Sequence, residues 1–180
     1  MDSEIGNKKK TEIIIRQMEI DDISAVYRLG DSLFTSDEFP ILYRTWDAYE
    51  VTDAFTSDPE LCLVAEEETE QKVVGFILAT TIEKEKTAWK KYGYLSWIGV
   101  EEAYQRSNLG HRLYKKLEER LQKSGVRMVI ADTDADNEEA ISFFGTIGFS
   151  SSSRHLWLAK TLHRQVKKEA KTGEDTPNHT

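Results

Sequence analysis

The residues best suited to chemistry are Gln105-Arg106-Ser107-Asn108-Leu109-Gly110, a polar hexapeptide within the stretch from Tyr92 to Leu121. Before it runs an apolar segment (Leu95, Trp97, Ile98, Val100) that suits a buried strand. After it, Leu109, Leu113, Leu117 and Leu121 recur at i+4 spacing, so a helix begins at Leu109 or Gly110. A strand, a compact polar turn and a helix N-terminus together make an anion site. The first-turn N–H groups lack partners within the helix, and the helix dipole favours negative charge beside them. His111, Arg112 and Lys115 place further donors nearby. Arg106 and Arg112 suit phosphate contact, whereas Lys115 reads as part of a solvated helix face. The ligand class is a phosphate or pyrophosphate.

Other elements must hold this turn in place. Ile13-Ile14-Ile15 reads as a first strand. Asp21 or Asp22 caps a helix with Ile23, Val26, Tyr27 and Leu33 or Phe34 on its apolar face, weakened late by Gly30. A loop follows from Thr35 to Pro40, then a second helix from Tyr43 to Phe55 that Ser57-Asp58-Pro59 stops. Leu61 to Ala65 and Val73 to Thr81 form a hairpin with an acidic link. The central strand covers 92–100, and its helix ends at Ser124-Gly125. Val126 to Ala131 is another buried strand, Glu138 to Thr146 a short helix, and His155 to Ala159 a last strand. Residues 1–10 read as a mobile polar arm, 11–162 as a single domain and 163–180 as a polar, disordered tail.

Composition narrows the function classes. A chain of 180 residues supports one domain with a sizeable core. No apolar run approaches the roughly 20 residues of a membrane span, and no apolar segment follows the N-terminal lysines as a signal peptide requires. A single cysteine, Cys62, fits a reducing cytoplasm. A net charge of −8 argues against nucleic-acid binding, which needs a basic face. Asp132, Asp134 and Asp136 mimic the start of a calcium loop, but Asn137 and Phe143 stand where that loop needs Gly and Glu. Cys62 and the four histidines show no zinc spacing, so no metal is expected.

The order of elements and two motifs resemble the GCN5-related N-acetyltransferase (GNAT) family. Gln105-Arg106-Ser107-Asn108-Leu109-Gly110 corresponds to the family pattern Q/R-x-x-G-x-G/A, with Asn108 in place of the first glycine. Asn tolerates a left-handed conformation, so the turn survives the exchange. Asn137, Ala140, Phe143, Phe144, Gly148 and Phe149 resemble N-x-x-A-x-x-F-Y-x-x-x-G-F. The resemblance spans about Ile13 to Leu162. It implies an α/β fold: a mixed, mostly antiparallel, twisted sheet with two splayed parallel central strands and about four flanking helices.

The resemblance also implies an acetyl-CoA-dependent N-acetyltransferase acting on a primary amine. By that likeness, Gln105 to Gly110 with His111 and Arg112 hold the pyrophosphate. The strand edge at Ile98, Gly99 and Val100 pairs with the pantetheine arm, and Asn137 and Phe144 approach from the opposite side. Asn137 suits a helix cap equally well. A donor beside the thioester carbonyl would stabilise developing negative charge, and holding amine and thioester together supplies further acceleration. Many relatives have a thiolate-protonating Tyr where this chain has Phe144, so Tyr92 or Tyr94 is the substitute candidate. Relatives also carry a general-base Glu on the central strand, at a position corresponding to Tyr94. An aromatic packed on the sheet is the plainer reading of Tyr94.

The first two helices and their loop wall the acceptor side in this family. Glu19 to Glu60 holds eleven acidic residues against two basic ones. Asp37, Glu38, Phe39 and Tyr43, with Trp46 and Tyr49, make an acidic, aromatic rim suited to a cationic amine such as a polyamine, a lysine or a basic peptide. The short stretch from Gly148 to Leu162 weighs against protein N-terminal acetylation. Homodimerisation is left open. The rival is a non-catalytic acyl-CoA-binding module of the same fold, favoured by Phe144 and Asn108.

Overall fold

The computed structural model describes residues 12–34, 45–150, 153, 158 and 160. The chain divides into two compact units, Met1–Phe149 and Ser150–Thr180, and every element below belongs to the first. Its strands are β1 (Ile13–Gln17), β2 (Leu63–Glu67), β3 (Lys72–Glu83), β4 (Lys91–Val100) and β5 (Met128–Ala131). They lie side by side in sequence order, antiparallel from β1 to β4, with β5 parallel to β4. A parallel neighbour needs a crossover, which helix α3 (Leu109–Lys123) supplies. The sheet is therefore mixed and mostly antiparallel. The strand expected at 155–159 lies, apart from Leu158, outside the described residues.

Each face of the sheet has its own core. Leu109, Leu113, Leu117 and Leu121 of α3 pack with Leu63, Ala65, Ile77 and Leu95, while Phe144, Ile147 and Phe149 in and after α4 (Glu138–Thr146) join the rim. On the other face, α1 (Ile23–Leu33) and α2 (Ala48–Ser57) cover Val64, Phe76, Leu78 and Trp97. Val74 to Ala79 of β3 are buried throughout, as expected of a strand covered on both sides.

Three local expectations change. First, the second helix starts at Ala48, not Tyr43, because the Asp47 side chain accepts the N–H groups of Tyr49 and Glu50 and caps it there. Trp46 thus precedes the helix and lies across α1. Its Nε1–H donates to Tyr27 O at 3.0 Å, and a Cβ on Gly30 would sit 2.2 Å from its ring. Second, Gly30 does not fray α1, which continues to Leu33. A helical glycine costs about 1 kcal/mol in propensity, but here it admits the Trp46 ring. Third, Asp22 makes no side-chain cap bond to α1. It accepts Arg16 NH1 at 2.6 Å, Arg16 NH2 at 2.8 Å and Glu19 N at 2.8 Å, and Arg16 also pairs with Glu66 of β2. Burial works against the Asp22 charge, but these bonds and the Arg16 charge outweigh it and hold the carboxyl below its usual range.

Two outcomes follow. Gly30→Ala should destabilise the fold by about 3 kcal/mol in chemical denaturation, since Trp46 must be displaced. Because the Asp22 carboxyl is depressed in the folded state, its contribution exists above the unfolded value of about 3.9 and fades as pH falls through the folded value. Denaturation between about pH 2 and 6 should therefore show a shallower acid loss for Asp22→Asn than for the parent chain.

Candidate active site

Parallel pairing between β4 and β5 covers only Tyr92 to Leu95 on one side and Met128 to Ala131 on the other. β4 then continues to Val100 with no described strand beside it where β5 would run. The described pairing ends at Leu95 and Ala131, so β4 over 98–100 has no described strand on that side. Next to Leu95 the β3–β4 register shifts, with Leu78 opposite Trp97 but Ala79 opposite Leu95, so Ser96 is the extra residue of a bulge. The bulge inverts which face each side chain takes. Leu95 belongs to the α3 core and Trp97 to the α1/α2 core, although the two lie only two residues apart. A Cβ at Gly99 would meet Leu33 of α1 at 2.8 Å and Phe76 at 2.9 Å, so only glycine lets α1 approach there. Ile98 and Val100 pack at the rim of the α3 core.

The edge leads directly into the turn. Gln105 Nε2 donates to Val100 O at 3.1 Å, and Ser107 Oγ donates to Tyr104 O. Arg106 (φ 58°) and Asn108 (φ 66°, ψ 14°) are both left-handed, so Asn108 takes the conformation its glycine counterpart would favour. The first backbone bond at the start of α3 runs from Arg112 N to Asn108 O, and the Asn108 side chain caps nothing. The N–H groups of Leu109, Gly110 and His111 therefore point out of the helix end without helical partners. Leu109 is itself buried, and Gln105 to Asn108 are exposed. A Cβ at Gly110 would lie 3.1 Å from the Phe143 ring, so this glycine lets α4 pack close to the turn.

Several expected site residues have structural partners. Arg112 NH2 donates to Ile13 O at 2.7 Å, which ties α3 to β1. His111 Nε2 lies 3.0 Å from Thr146 Oγ1, and its ring meets Phe143 edge-on, joining α3 to α4. Asn137 Oδ1 accepts the Ala140 N–H at 3.0 Å and caps α4, leaving its NH2 group to donate elsewhere. Phe144 packs between Phe143 and Phe149. Tyr92 OH accepts the Trp89 N–H at 3.4 Å. Asp37, Glu38, Phe39 and Tyr43 lie outside the described residues.

The Tyr94 hydroxyl donates to Asp132 Oδ1 at 2.7 Å. Tyr94 sits opposite Ile130, and Asp132 is the first residue beyond β5, so the pair spans the strands where their described pairing ends. Gly93 and Leu95 point toward α3, since a Cβ on Gly93 would touch Leu121. Tyr94 therefore faces the α1/α2 side. Sequence reasoning singles out Tyr94 as a candidate, but weighs Asp132 only as the start of a calcium-loop mimic and gives it no role beside Tyr94. A groove of about 580 Å³ lined by Asp21, Arg28, Glu70, Lys72 and Glu101 shares no residue with β4, with β5 or with the turn after Glu101. Among the described residues, no group of three or more His, Cys, Asp or Glu could hold a metal ion, and no helix is long and apolar enough to cross a membrane.

The family model for the acetyltransferase (GNAT) family matches residues 25–149, which contain α1 to α4, the turn and the end of the β4–β5 pairing. The chain belongs to that family. This GNAT chain is an acyltransferase by membership. Among solved structures, a Trypanosoma brucei acetyltransferase superposes with TM-score 0.63 at 21% identity, covering 83% of this chain and 100% of that one. The NatC complex bound to a Gag peptide and CoA gives TM-score 0.69 at 17% identity over 79% and 87%. An aminoglycoside 6'-N-acetyltransferase from Acinetobacter baumannii gives 0.66 at 18% over 84% and 100%. At these identities the likeness is one of fold. No curated protein sequence matches the chain.

Proposed function

We propose that this GNAT chain transfers the acetyl group of acetyl-CoA directly to a primary amine, with a cationic amine as the acceptor. The observation that carries the reading is that β4 has no described strand on its β5 side at 98–100 and runs into N–H groups without helical partners at the α3 N-terminus. An extended amide-bearing arm can pair with a strand edge, and a pyrophosphate suits a helix N-terminus. The chain's donor set fits CoA on both counts, and the similar NatC complex holds CoA. On this reading the amides of Leu109, Gly110 and His111 receive the pyrophosphate. The edge at Ile98 to Val100 receives the pantetheine.

The reaction forms a C–N bond and breaks a C–S bond, and the amine must first lose a proton. A phenolic oxygen can accept an amine N–H as well as donate, and the Tyr94 proton points at Asp132. A proton can therefore pass from the acceptor amine toward the Asp132 carboxylate along this pair. The departing thiolate needs less help, since free thiols titrate near pH 8.5, which accommodates Phe144. Acidic residues on the α1/α2 side favour a cationic acceptor.

Free-thiol release from acetyl-CoA over a panel of amines tests the proposal. Gly110→Asp should abolish acetyl-CoA binding in calorimetry, because it adds negative charge at the α3 N-terminus and its Cβ, 3.1 Å from the Phe143 ring, forces α4 away from the turn. Retained affinity in that variant removes the assignment of the turn. Asp132→Asn should lower kcat by about two orders of magnitude while the acetyl-CoA KM holds. Tight acetyl-CoA binding without thiol release for any amine would instead support an acyl-CoA-binding module.

A further inference from the structure

The bulge at Ser96 turns Trp97 onto the face that also carries Tyr94. There its ring packs on Phe34 (4.8 Å between centroids) and Trp46 (5.1 Å), with 7% of its surface exposed. Its Nε1–H donates to Oε2 of Glu50, on the first turn of α2, at 2.6 Å. Glu50 is partly buried, and none of the described ion pairs includes it. A carboxylate partly covered by an aromatic cluster and held by one neutral donor keeps acceptor capacity that a cation can meet. A ligand ammonium would supply that countercharge.

We propose that Glu50, oriented by Trp97, binds a second positive charge on the acceptor, apart from the nitrogen that is acetylated at Tyr94 and Asp132. The preferred substrates are then diamines, polyamines or similarly doubly cationic amines. Trp97 is the positioning residue, because its N–H holds the carboxylate beside β4. This inference rests on the acetyltransferase reading above and narrows its acceptor class.

The test compares straight-chain α,ω-diamines of three to six carbons with the amino alcohols of matched length, in which a hydroxyl replaces the second ammonium. The parent chain should favour at least one diamine over its amino alcohol by about tenfold in kcat/KM, equivalent to about 1.4 kcal/mol. The difference should lie in the acceptor KM. Glu50→Gln should bring that ratio to about one while the acetyl-CoA KM holds, and Trp97→Phe should reduce it part-way. Thermal melting of each variant confirms that it is folded. A ratio that persists in Glu50→Gln, or that never exceeds about twofold in the parent, overturns the inference while thiol release continues. Absence of release by the parent with every amine overturns the acetyltransferase reading and this inference together.

Discussion

Everything at the candidate site depends on one pairing that stops. β4 and β5 hold each other over four residues, and beyond Leu95 no described strand continues the parallel pairing. A sheet normally avoids unsatisfied edges because each unpaired N–H or C=O carries a desolvation cost once covered. Here α3 must cross over to create the parallel neighbour, and its N-terminus consequently lands at the end of β4. Crossover, the end of the parallel pairing and amides without helical partners are three results of the same topology.

Close packing holds the surroundings of that end in place. Gly99 lets Leu33 and Phe76 press against β4, Gly110 lets Phe143 approach α3, and Gly30 admits Trp46 to α1. Gly99 thus brings α1 against β4, which keeps β3 as its antiparallel neighbour there. The bulge at Ser96 does complementary work. It sends Leu95 into one core and Trp97 into the other, which anchors β4 on both sides at the position where the described parallel pairing ends.

Much of this was legible from sequence because it follows periodicity. The i+4 leucines of α3 announced a helix with one buried face, and the apolar run before Gln105 announced a strand. Asn108 could be read as a left-handed residue from its side chain alone. What escaped notice depends on distant partners. Nothing near Ser96 signals a bulge, since the inserted residue is defined only against β3. Trp46 looked helical until Gly30, sixteen positions earlier in the chain, supplied the slot it occupies. Asp22 looked like a cap because Arg16 and Glu66 become its neighbours only after β1 and β2 pair. Arg112 looked like a phosphate ligand, yet the reach of a guanidinium also serves β1. Asp132 gained meaning only from a tyrosine on the adjacent strand.

The arginines of α3 carry an implication for how the chain comes together. Arg112 binds Ile13 O and Arg120 binds Gln17 Oε1, contacts separated by 99 and 103 residues, so both ends of the first strand are fastened to a helix made far later. Loop-closure entropy has to be overcome before such contacts form, and topologies rich in them assemble slowly. During synthesis from the N-terminus, β1 emerges well before β2, its strand neighbour among the described residues, and earlier still before the helix that clasps it. Among the described strands β1 is thus made first yet secured late, and α3 is braced against it only once Arg112 and Arg120 reach it.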